Sequence, residues 1–152
     1  MTVNDPSPGD DAVIHWNAVL RGALAGLFFL VLASVAEAIL DRNIDTFRDS
    51  GWIYPLFVVI LFGYMLGGFG AGRLVPRAAL SNGLLAGIGA FVLWIPVRIV
   101  IWLLRDENRG LFTGHSPALR PGQIFGHLVI AAALGMFGGF LGARSINRAA
   151  RP

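Results

Sequence analysis

The sequence predicts an all-α integral membrane four-helix bundle built from two parallel-repeat helical hairpins, and three observations lead there. Of the 152 residues, 55% are hydrophobic and only 14% are charged, whereas a soluble domain of this size carries roughly a quarter charged residues. Four apolar runs are each long enough to cross a hydrocarbon core, which takes about 20 helical residues. The third observation is an echo. Gly67-Gly68-Phe69 and Gly138-Gly139-Phe140 each close an apolar run, and each leads to two arginines four residues apart, Arg73 and Arg77 in one case, Arg144 and Arg148 in the other.

Residues 1–15 are polar and carry Asp5, Pro6, Pro8, Gly9, Asp10 and Asp11. Such a segment buries too little apolar surface to offset its ordering entropy, so it reads as a disordered tail. It has no basic n-region, and the apolar run after it is too long for the h-region of a signal peptide. The first span covers 16–40, with Trp16 at one interface and Asp41-Arg42 at the exit. A polar loop with Asp45, Arg48 and Asp49 leads to the second span, 52–74, anchored by Trp52 and Tyr54. Pro76 disfavours helix at Val75 and sets a tight turn there. The third span, 78–104, contains Pro96, which removes a backbone hydrogen bond and predicts a kink. A longer loop over 105–121 holds Asp106, Glu107, Arg109 and Arg120. The fourth span covers 123–143, so the bundle occupies 16–145 and a basic tail 146–152.

A shift of 61 lays the first span on the third: Gly22, Leu24, Ala25, Gly26, Val31 and Leu32 fall on Gly83, Leu85, Ala86, Gly87, Val92 and Leu93. A shift of 71 lays Val58, Met65, Gly67, Gly68, Phe69, Arg73 and Arg77 on Val129, Met136, Gly138, Gly139, Phe140, Arg144 and Arg148. The expectation is a duplication, with repeat one at 16–77, repeat two at 78–148, and an insertion in the 105–121 loop. Each unit holds two spans, so the copies share one topology and are expected to be related by an axis along the membrane normal.

Gly22 and Gly26, Gly68 and Gly72, Gly83 and Gly87, and Gly138 and Gly142 are small-xxx-small pairs. With Gly67 and Gly139, they predict faces where helix backbones approach closely, which matters where lipid removes the hydrophobic drive to associate. All lie toward the membrane side that bears the termini. Phe28, Phe29, Phe57, Trp94 and Trp102 lie mid-span or toward the opposite side. The bundle is therefore expected to be tight at the tail side and looser at the loop side.

All twelve basic residues are arginine, and the net charge is +3. They stand at span ends, where anionic headgroups are nearer partners than nucleic acid; Arg73, Arg77, Arg144 and Arg148 are the headgroup and topology candidates. Six arginines on the tail side face five on the loops, which favours cytoplasmic termini in a bacterial plasma membrane.

Glu37 and Arg98 are the charges placed deepest in the apolar zone, and the shift of 61 superposes them. Intramembrane charges are costly and pair or line a cavity; the plain alternative is that both snorkel to the loop-side interface. His15 belongs to the tail side, whereas His115 and His127 belong to the loop side and read as interfacial. Without cysteine the histidines do not make a metal centre. No catalytic motif stands out, and Gly70-Ala71-Gly72-Arg73 ends an apolar helix rather than following a strand, so it is not a nucleotide loop. The expectation is no enzyme and no cofactor.

Hairpins ending in Gly-Gly-Phe followed by arginine resemble the small, uncharacterised four-span membrane proteins common in bacteria. The resemblance covers the spans and implies no functional residues. Two functions fit. One is an accessory or structural subunit that packs against other membrane helices, its partners the lipid bilayer and either another membrane protein or a second copy. The other is a small oligomeric transporter or channel using Glu37 and Arg98.

Overall fold

The computed structural model describes residues 14–44, 46–104 and 121–149. Most of the N-terminal tail, the loop with Asp106, Glu107 and His115, and the final residues 150–152 lie outside the described residues. Four long helices follow one another: α1 (Trp16–Asn43), α2 (Ile53–Leu74), α3 (Ala79–Leu104) and α4 (Pro121–Ala149). Single 3₁₀ turns at Phe47–Asp49 and Pro76–Ala78 precede α2 and α3. Each long helix has the length and apolarity to cross a membrane, and inside lipid the helix satisfies its own backbone groups.

The helices overrun the apolar runs where polar side chains can be solvated. α1 continues past Leu40 through Asp41, Arg42 and Asn43, and the Asn43 amide donates to the Ile39 carbonyl at 2.7 Å. α4 runs on past Ala143 to Ala149, with the Ser145 hydroxyl donating to the Gly142 carbonyl at 2.7 Å. Residues 146–149 are thus helix rather than tail, because water hydrates a helix end as readily as a coil. At its other end α4 starts on Pro121, whose missing N–H is one the first turn leaves unpaired anyway. The α2–α3 turn closes with the Val75 N–H donating to the Ala71 carbonyl before Pro76. α3 continues through Pro96, which is exposed on its outer surface.

α1 packs on α2 and α3, α4 packs on the same two, and α2 touches α3 across the middle. Close approaches fix the directions. Gly22 meets Gly67 and Gly26 meets Gly63, so α1 and α2 are antiparallel; Gly68 meets Gly135 and Gly72 meets Gly139, so α2 and α4 are parallel. α1 and α3 are parallel as well, Gly22 lying against Ala86 and Gly26 against Ala90. A two-fold axis along the membrane normal would give α1 and α4 the contact that α2 and α3 make. Instead α1 and α4 hold opposite corners, so the halves stand side by side. The cause is that α4 uses one glycine face against both α2 and α3.

Burial is lopsided. In α1 the buried positions end at Ser34; in α2 they begin at Gly63; in α3 they run from Ala79 to Trp94. Those of α4 run from Ala131 to Gly142. Among the described residues, the loop-side ends of all four helices contribute no buried position. The tail-side half is a closed bundle and the loop-side half is splayed.

Candidate functional site

The tail-side half is closed by backbone. At each of Gly22, Gly26, Gly67, Gly68, Gly72, Gly83, Gly87, Gly138, Gly139 and Gly142, an added Cβ would run into a carbonyl oxygen of the neighbouring helix. The clash partners are Gly63 at 2.9 Å for Gly26, Gly135 at 2.6 Å for Gly83 and the Phe69 carbonyl for Gly142. Gly135 and Gly139 face α2 and α3 at once, a double seam that no larger residue permits. Buried side chains of this half are otherwise small, among them Ala23, Ala71, Ala79 and Ala86.

Where the glycines stop, large side chains fill the widening interior. Leu30, Tyr64, Ala90, Phe91, Trp94 and Ala131 form the buried cluster, with Leu27, Ile60, Leu128 and Leu134 packed against it. Polar groups run through this cluster toward the loop side. Tyr64 is fully buried, and its hydroxyl has no hydrogen-bond partner among the described residues. The His127 ring stacks on Phe91 at 6.3 Å and lies against Trp94 at 5.8 Å and Phe57 at 6.2 Å, and its Nδ1 is buried without a partner among the described residues. The Trp94 indole N–H donates to the Ser34 hydroxyl at 2.7 Å, and that hydroxyl donates to the Leu30 carbonyl at 2.8 Å.

The Ser34–Trp94 hydrogen bond ties α1 to α3 one turn from Glu37 and Arg98. Glu37 follows Ser34 by three residues and Arg98 follows Trp94 by four, spacings that keep a helix face. Both charged side chains are half-buried, and the Arg98 guanidinium lies 5.1 Å from the centre of the Trp94 ring. Gly22 lies against Ala86 and Gly26 against Ala90, so Arg98 is level with Ser34 and Glu37 lies about a turn nearer the loop side.

His127 departs from its expected interfacial place. It sits two turns into α4, where the open end of the bundle draws its ring between three aromatic side chains. His15 is exposed and precedes α1; its backbone N–H donates to the Asn82 side-chain oxygen at 2.7 Å. Asn82 is fully buried and also donates to the Ala78 carbonyl at 2.8 Å, so it pins the start of α1 to α3. Among the described residues no three metal-ligating side chains converge.

Patterning alone does not single out Gly63, Asn82, Gly135, Tyr64 or His127. The first and third are visible in hindsight, since Gly63-xxx-Gly67 and Gly135-xxx-Gly139 are themselves small-xxx-small pairs. Arg73, Arg77, Arg144 and Arg148 are all exposed at the tail-side ends of α2, its turn and α4.

Over 96 residues, 63% of the chain, the sequence is 35% identical to the iron(3+)-hydroxamate import system permease protein FhuB of Escherichia coli (strain K12). The matched stretch spans 13% of that permease's length. No family model matches the chain, and no solved structure matches it. Four membrane-length helices and likeness to a permease make the chain a multi-pass membrane protein.

Proposed function

We propose that the protein is an accessory subunit of a bacterial plasma-membrane assembly, one that packs against other membrane helices and holds both termini in the cytoplasm. The observation that supports it is the closed tail-side half. Between Tyr64 and Asn82 the buried positions of α2 and α3 are glycine and alanine, apart from Phe91 beside Tyr64, so a single copy offers a solute no side chains to exchange hydrogen bonds with on the way through. A helix bundle that dry serves as a rigid packing unit. The same proposal takes 16–77 and 78–148 as duplicated hairpins and the glycine faces as the means by which they close. Affinity purification from cells at native expression, in mild detergent, tests it. A stoichiometric membrane partner is the expected result; a lone homo-oligomer that mediates solute flux overturns it.

A second reading has its own support. The polar groups of Tyr64, His127, Ser34 and Trp94 inside the bundle, with Glu37 and Arg98 a turn beyond Ser34 and Trp94, are what half of a permeation path would use, and the matched protein is by name an import-system permease. In that case several copies combine to complete the path. Flux through reconstituted vesicles, lost on substituting Glu37 or Arg98, separates it from the accessory role.

A further inference from the structure

Every described acidic side chain lies at the loop side: Glu37, Asp41 and Asp49. The tail-side face carries Arg21, Arg73, Arg77, Arg144 and Arg148, all exposed, with no acid among its described residues. Four of these five belong to one corner, because α2 and α4 end side by side. Their backbones touch where Gly72 meets Gly139 and where Gly142 meets Phe69, and a Cβ on Gly142 would lie 3.0 Å from the Arg73 nitrogen. Arg144 is two residues beyond that contact.

Arg73 adds a specific geometry. An arginine that only marked the edge of the apolar zone would reach outward toward water. Arg73 instead lies over Phe69, one turn back on α2, its guanidinium 5.7 Å from the ring centre. That holds a cation against the end of α2 beside the α4 seam. The two helix C-termini each bring about half a negative charge, too little to cancel four guanidiniums.

We infer that the joined ends of α2 and α4 form a binding site for an anionic phospholipid, with its headgroup phosphates held by the pairs Arg73/Arg77 and Arg144/Arg148. Two arginine pairs on neighbouring ends fit a lipid with two phosphates, and guanidinium matches phosphate oxygens in bidentate fashion. This holds whichever of the two functions above is correct.

Native mass spectrometry of the detergent-purified protein, titrated with diphosphatidylglycerol or phosphatidylcholine, is the test. The expected result is at least about tenfold preferential retention of the dianionic lipid, and a drop of about tenfold in the double variant R73Q/R144Q. Arg42→Gln, at the opposite end of the bundle, should leave the preference intact. If the double variant does not fold, the wild-type protein still decides: retention must weaken between about 0.05 and 0.5 M salt, as screening requires. Equal retention of both lipids, insensitivity to salt, an equal loss in Arg42→Gln, or displacement of the lipid by inorganic phosphate at equal concentration would overturn the site.

Discussion

Trp94 reaches across from α3 to donate its indole hydrogen to the Ser34 hydroxyl on α1, and both groups are buried. This is the point where the glycine-closed half of the bundle gives way to the splayed half. It is a side-chain tie placed just where the glycine contacts end.

Ser34→Ala should therefore lower stability by about 1 kcal/mol, the scale of interhelical hydrogen bonds in membranes. Trp94→Phe should cost more, since ring area is lost as well as the donor. A double-mutant cycle on thermal unfolding in detergent isolates the bond; a coupling energy of zero would show that the two side chains merely lie close.

The glycine seam has an internal control. An added Cβ at Gly135 meets the Gly83 carbonyl at 2.5 Å, whereas at Gly126 it meets nothing within 4 Å. Gly135→Val should destabilise by more than about 2 kcal/mol through forced helix separation. Gly126→Ala should be neutral or gain up to about 1 kcal/mol from helix propensity. Comparable melting temperatures for the two variants would contradict the seam.

Tyr64→Phe is expected to leave stability unchanged or raise it slightly, because the hydroxyl is buried without a partner among the described residues. Tyr64→Ala should cost about 3 kcal/mol or more from the cavity. Loss of more than about 1 kcal/mol in the phenylalanine variant would mean that the hydroxyl is engaged in the membrane.

Glu37 and Arg98 each lie one turn beyond the Ser34–Trp94 hydrogen bond, so swapping their charges tests whether they act together. Glu37→Arg and Arg98→Glu should each reduce the yield of folded protein, and the double exchange should restore most of it. No restoration would assign each side chain its own snorkelled place at the interface.

The spans were legible because about 20 apolar residues in a row have one cheap solution in lipid. The helix ends were not, since Asp41 to Asn43 and Ser145 to Arg148 are solvated equally well as helix or coil. Glycine spacing is readable along one helix, but the sharing of Gly135 and Gly139 between α2 and α3 depends on which helices become neighbours. His127 and Asn82 were missed for a related reason. A lone polar residue in a span has no periodicity to betray it, and its partners come from elsewhere in the chain: Phe57, Phe91 and Trp94 in one case, the His15 backbone in the other.

The double use of the α4 glycine face bears on how the chain assembles as it is made. Gly68 and Gly72 on α2, and Gly83 and Gly87 on α3, have their nearest neighbours on α4, the last of these four helices to leave the ribosome. Until it inserts, the first three helices wait in the bilayer with two bare backbone tracks open to any glycine-faced neighbour. α4 acts as a keystone: in its absence the same tracks invite a helix exchanged from another copy.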